Sequence, residues 1–395
     1  MGGESLPPRY KRFAFFATPS AGSSPQRPLQ FLTAFSNVKE ILTLKNIQTR
    51  NTLILTGIAL FAIVVPFLLI RSGLINGYTA YVITLAGINA IMAISVNVVS
   101  GITGQLTLGQ CAFEAVGAYM TMILAQDLGL PLPLAMVIAP LVAAVFGFLI
   151  GFPTLKLEGD YLAIVTLAFG EIIRVVLVNL KGVTGGPNGK SFKYSFLRDS
   201  LDWGASLSYL VIIGMLVVII VLLQNFLRSS YGRAIMAVRE DEIAANSNGV
   251  SVFKYKMIGF VVAAFIGGIG GALYAPFIGL IKPELASFNN SINALIFVVL
   301  GGMGSVTGSV IAAFVLTYMQ EFLRFMQNYR LLLYPVILIL VMLFRPQGLL
   351  GMKELSFIKC WDGLPSLIKR LKSGRAAKEK NLENENGSEG KSGAK

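Results

Sequence analysis

The side chains able to do chemistry in this sequence are few and poorly grouped for catalysis. There is no histidine, which removes the commonest general base, proton shuttle and metal ligand together. Cys111 lies in an apolar run and Cys360 in a polar tail, so both read as ordinary small residues rather than a disulfide framework. Four ionisable residues stand inside long apolar runs: Glu114, Glu171, Arg174 and Glu321. Glu171 and Arg174 share one helical face by their spacing and can neutralise each other there. No carboxylate pairs with another for acid–base work, and they form no chain resembling a proton relay. The string Thr184-Gly-Gly-Pro-Asn-Gly-Lys190-Ser191 imitates a phosphate-binding loop, but Thr184 replaces its first glycine and no strand precedes it. An enzyme and a metal site lack the residues they would need, and an ion-coupled secondary transporter, the alternative of another class, would have only Glu114 and Glu171 as plausible ligands.

The elements that position these residues are set by lipid. Of 395 residues, 54% are hydrophobic and 13% charged, against about 25% charged in an ordinary soluble domain. Charge is absent from long stretches and crowds the ends and a few loops. A span needs about 20 mostly apolar residues. That ruler marks ten segments, at 53–70, 78–98, 110–126, 134–152, 161–180, 207–227, 256–281, 288–302, 305–325 and 331–344. The eighth and tenth are short, which sets a range of eight to eleven, and the chain reads as an all-α, polytopic transmembrane bundle.

Basic residues orient it. Lys39, Lys45 and Arg50 precede the first span, Arg228, Arg233, Arg239, Lys254 and Lys256 follow the sixth, and Arg345 and Lys353 follow the last. Placing all three groups on the cytoplasmic side requires even numbers of spans between them, and six plus four satisfies this, with both termini cytoplasmic. Segment 181–206 then lies outside although it carries Lys181, Lys190, Lys193 and Arg198. The expected organisation is an extension at 1–50, a permease domain at 51–351 containing a cytoplasmic loop at 228–255, and a basic tail at 352–395. Both ends are low in complexity and read as disordered. No signal peptide is evident, and segment 355–368 is either an interfacial helix or linker. The net charge of +13 sits beside spans and in the tails, where topology signals and anionic-lipid contacts belong, rather than on a nucleic-acid-binding face.

Two kinds of segment break the apolar pattern. Gly101, Gly104 and Gly109, with Gln105, Thr107 and Gln110, form a polar, flexible stretch between spans. Such a break either lines a wet pathway, exposing a helix N-terminus suited to a carboxylate, or is a plain cytoplasmic turn. Gly101, Gly104 and Thr107 are echoed as Gly301, Gly304 and Thr307, as in transporters built from repeats. The second kind is the polar loop Tyr231–Gly249, an Ala-rich helix former bounded by Gly232 and Gly249, with Arg239 spaced to pair with Glu242.

The pair Ala244-Ala245, three residues and Gly249 resemble the Glu-Ala-Ala-x-x-x-Gly loop of ABC importer permeases, with Ile243 in place of the motif's Glu. The fuller string around it is similar to branched-chain amino-acid permeases of the Liv type, on the LivM branch. Gly104-Gln-Leu-Thr-Leu-Gly-Gln110, Gly117-Ala-Tyr119, Gly159-Asp-Tyr161, Thr184-Gly-Gly186, Gly301-Gly302 with Gly304, and Arg345-Pro-Gln-Gly-Leu349 extend the resemblance from Gly77 to Gly351. It implies a bacterial inner-membrane subunit of an importer for branched aliphatic amino acids. It also implies a LivH-type sister permease, two ATPase subunits that bind the ATP, and an extracytoplasmic binding protein facing the 184–191 loop. The chain itself would hold no cofactor. Gly232, Arg233, Arg239, Glu242, Ala244, Ala245 and Gly249 would form the ATPase-coupling helix. Gly104, Gln105, Thr107, Gly109, Gln110, Gly301 and Gly304 are the candidate pathway residues. Urea permeases are similar over the same segments and leave the solute open.

Overall fold

The computed structural model describes residues 64–157, 159–193, 204–324, 330–344 and Gly348. The extension at 1–50, the tail at 352–395 and the start of the first apolar run lie outside the described residues.

A short helix α1 (64–71) leads into α2 (Gly77–Val96), which continues as a π-helical turn over Asn97–Ile102. There follow α3 (Gln110–Met122, with a π turn at Ile123–Asp127), α4 (Leu132–Thr154), α5 (Asp160–Asn179) and the single turn α6 (Lys181–Thr184). After α7 (Gly204–Arg228) come two polar helices, α8 (Ser230–Glu240) and α9 (Glu242–Ser247), and then the long α10 (Val252–Ile278). The described chain ends with α11 (Phe288–Gly301), α12 (Val306–Phe322) and α13 (Arg330–Phe344). Five described helices are long and apolar enough to cross a membrane. The pair α11–α12, bent by 120° at a short break, adds a sixth if counted as one span.

Helix α10 is the centre of the bundle because its glycines let three neighbours approach. Side chains cannot drive helices together in lipid by the hydrophobic effect, so close backbone approach through small residues does much of the work. A Cβ on Gly271 would collide with the backbone of Glu114 and Ala118 on α3. One on Gly268 would meet Ala143 Cβ at 2.6 Å and Pro140 Cα at 2.9 Å on α4, and one on Gly270 would lie 3.0 Å from Met92 Sδ on α2. Helix α4 answers with Ala135, Ala139, Ala143, Gly147 and Gly151, a buried small residue at every fourth position. Its other face carries Val137, Leu141, Val145, Phe148 and Phe152, all exposed, as a lipid-facing surface requires. Helix α5 buries the narrower stripe Ala163, Thr166, Gly170, Ile173 and Leu177.

The expected pair is present on α5, where Arg174 Nε lies 2.6 Å from Glu171 Oε2, each about one-third exposed. The other Glu171 oxygen accepts from Phe288 N at 3.3 Å, which ties α5 to the start of α11. Glu321 pairs with Arg324 at 2.8 Å, and Glu114 is buried on α3 beside Cys111.

Two minimal strands depart from the all-α expectation. Lys190–Ser191 pairs antiparallel with Leu280–Ile281, in the register Lys190 with Ile281. The backbone around Gly189 has no helix to satisfy it, so it borrows the chain leaving α10; Phe192 N also donates to Gly279 O at 2.8 Å. The phosphate-loop imitation is thus a ribbon and a 3-10 turn at Gly186–Asn188, with the Lys190 ammonium held 2.8 Å from Asp127.

Candidate functional site

The first glycine-rich break runs from an exposed Gly104 beside α8 to Gln110, buried against the middle of α10. The π turn after α2 ends where Gly104 takes a φ of +73°, a conformation that costs other residues roughly 1 kcal/mol or more. Gln105 N then donates to Val99 O at 3.0 Å. From there the chain is extended, burying Gln105, Thr107 and Gly109 in alternation with exposed Leu106 and half-buried Leu108. Helix α3 starts at Gln110, whose Nε2 donates to Ser95 Oγ at 2.7 Å, while Ser95 donates to Ala263 O at 2.7 Å. Gln110 Nε2 faces Gly267, near the middle of α10. No side chain caps the α3 N-terminus.

This segment also concentrates unmatched polarity. Asn97 Nδ2, Ser100 Oγ, both amide atoms of Gln105, Thr107 Oγ1 and Gln110 Oε1 are buried with no hydrogen-bond partner among the described residues. A buried polar atom left so costs about 1–3 kcal/mol.

The echoed glycines form a second break, and it rests on the first. Helix α11 ends at Gly301, and Gly304 has a φ of +91°. Ser305 Oγ accepts from Gly308 N at 3.1 Å and starts α12. Gly304 N donates to Asn97 Oδ1 at 2.8 Å, and a Cβ on Gly101 would collide with Gly304 N. The backbone of Gly301 packs on that of Gly308, and Gly348 approaches Gly302 so closely that a Cβ there would lie 2.7 Å from Gly302 N. Three of the glycine motifs picked out in the sequence therefore converge on one place.

The polar loop forms two helices, not one. Ser229 Oγ accepts from Gly232 N at 3.3 Å to cap α8, and Gly232 sits so close to Leu227 that its Cβ would collide. Arg233 donates to Arg228 O at 2.8 Å and to Ser230 Oγ at 3.1 Å. The break falls at Asp241, which is extended (φ −158°) and accepts from Ile243 N and Ala244 N, both at 2.9 Å. An aspartate serves better as a cap than inside a helix, which is why the Ala-rich run divides there. The division also removes the expected Arg239–Glu242 pair. Glu242 Oε1 instead lies 2.5 Å from the nearly buried Lys256 Nζ, pinning α9 to α10. Arg239 turns the other way, toward the breaks: a Cβ on Gly104 would lie 3.0 Å from Arg239 Cγ, and one on Gly304 would lie 2.9 Å from Arg239 Nη1. Ala244 is exposed, Ala245 is buried, and Ile243 is 82% exposed at the tip. Gly249 (φ +79°) ends the element, its N–H donating to Asn246 O at 2.9 Å.

Sequence reasoning missed Asn97, Lys256 and Gly348 as members of this assembly. Asn97 had a signal, since an amide in an apolar span needs a partner.

The family model describing the permease component of a branched-chain amino acid transport system matches residues 78–344. The chain belongs to this permease family. The high-affinity branched-chain amino acid transport system permease protein LivM of Escherichia coli is 38% identical over 327 residues, covering 77% of this chain and 76% of that protein. LivM of Salmonella typhimurium is 36% identical over 351 residues, covering 83% and 78%. LivH of Escherichia coli, a permease protein of the same named system, is 26% identical over 290 residues, covering 69% and 94%. No solved structure matches the chain. This permease is a multi-pass membrane protein that moves a solute and catalyses no reaction on it. The matched residues include both breaks and the whole α8–α9 element.

Proposed function

We propose that this permease is the LivM-type transmembrane subunit of an ABC importer for branched aliphatic amino acids. Separate ATPase subunits supply the energy, an extracytoplasmic binding protein delivers the solute, and a LivH-type sister chain completes the pathway. The setting is a bacterial inner membrane, with ten spans and both termini cytoplasmic. ATP is bound by the partner subunits and no cofactor by this chain.

The observation that carries this reading is the α8–α9 element. A chain solvated only by lipid has no use for a doubly capped polar helix pair, pinned to α10 and presenting Ile243 and Ala244 to solvent. A subunit driven by a separate motor needs such a rigid docking element. The relatives' names support the solute class. The buried, unpartnered atoms of Gln105, Thr107 and Gln110 support a pathway-lining role for the first break, because a route for a zwitterion supplies the polar partners they need.

The test is uptake in bacterial cells lacking their own branched-chain systems and expressing the complete transporter. Labelled leucine should enter, with unlabelled isoleucine and valine competing and urea not. Uptake of labelled urea with none of leucine would overturn the solute assignment.

A further inference from the structure

Arg239 stands where three elements meet. It occupies the last turn of α8, and its side chain lies against Gly104, just past the helical end at Ile102, and Gly304, just past the end of α11 at Gly301. Helix C-termini carry partial negative charge from their unsatisfied carbonyls. The guanidinium therefore sits against the break that follows α11, while the aliphatic stem of the same side chain rests on Gly104, past the end of the α2 helix. Both glycines have positive φ, and at both a Cβ would crowd this side chain. Around it lies a cavity of about 370 Å³, lined by Ile102, Gln224, Leu227 and Met236. Beside this cavity, Arg239 is the side chain of α8 that lies against both breaks. Asn97 closes the circuit, because its bond to Gly304 N ties the two breaks to each other.

We propose that Arg239 is the residue through which movement of the α8–α9 element reaches both glycine breaks. A push on α8 is passed to the end of the α2 helix and to the end of α11 together. Arg239 acts here as a positioning residue and touches neither solute nor nucleotide. The assignment rests on the importer reading above.

The experiment uses the complete importer, with sister permease, ATPases and binding protein, in proteoliposomes. The readout is the number of leucine molecules delivered per ATP hydrolysed, with assembly followed by co-purification. Arg239→Met keeps most of the stem and removes the charge, and it should lower this ratio roughly tenfold. Arg239→Lys keeps the charge on a shorter, unforked head and should lower it roughly threefold. A purely structural role would lower transport and hydrolysis together and leave the ratio unchanged. A wild-type ratio in the assembled methionine variant overturns the proposal, as does a wild-type ratio in the lysine variant should the methionine variant not assemble. If the wild-type complex itself shows no hydrolysis stimulated by loaded binding protein, the importer reading fails instead.

Discussion

The Ala244→Trp permease is expected to reach the membrane at normal abundance and to import almost nothing. Ala244 is exposed on α9 beside Ile243, on the surface proposed to meet the ATPase, where a small side chain would permit close docking. Among the described residues, α9 is held by the Asp241 cap and the Glu242–Lys256 pair rather than by that side chain. A tryptophan there leaves the fold intact and disrupts the docking surface at its centre, where truncations cost about 3 kcal/mol or more. At 1.4 kcal/mol per tenfold, uptake falls about a hundredfold. Ala245, its buried neighbour, is the contrast: Ala245→Trp must push α9 away from the chain itself and lowers abundance as well. Immunoblots of membranes beside labelled-leucine uptake separate the two. An ion-coupled carrier would be indifferent to Ala244→Trp.

The Gly271→Leu chain fails earlier, at folding. At this position the obstacle is the backbone of α3 at Glu114 and Ala118, which has no rotamer to change. Helices α3 and α10 must separate, and α4 and α2 lose their seats on Gly268 and Gly270 with them. Overpacking against a side chain costs about 1–3 kcal/mol. Against backbone at the bundle centre the expected cost is on the order of 4 kcal/mol, enough to deplete a marginally stable protein. Gly214→Leu is the control, because among the described residues no atom lies within 4 Å of a Cβ at that glycine of α7. Membrane abundance and the temperature at which the protein aggregates in detergent should fall for the first variant and stay unchanged for the second.

What could be read in the sequence follows from what lipid enforces. The apolar runs at 78–98, 134–152, 161–180, 207–227 and 256–281 are helices in the structure, because a spanning segment must satisfy its own backbone. The Glu171–Arg174 pair was legible from its spacing, as was the end of the polar element at Gly249, whereas its start falls at Ser230, ahead of Gly232. Arg239 was misread for a physical reason. Its pairing with Glu242 presumed one continuous helix, and the capping preference of Asp241 ended that helix between them. The depth of the first break was equally hidden. Gly101 to Gln110 has the composition of a surface turn, and only the seat of Gln110 against the middle of α10 places it inside the bundle. Asn97 escaped notice because its partner, Gly304, lies 207 residues away.

The central claim is that this permease has no motor of its own and is driven through α8–α9. It is tested most directly by accumulation of labelled leucine in proteoliposomes carrying the permease, its sister chain and the ATPases, with loaded binding protein on the receiving side. The expected result is accumulation that requires ATP, survives dissipation of proton and sodium gradients, and disappears in Ala244→Trp. Accumulation that persists without ATP and collapses with an ion gradient would contradict it.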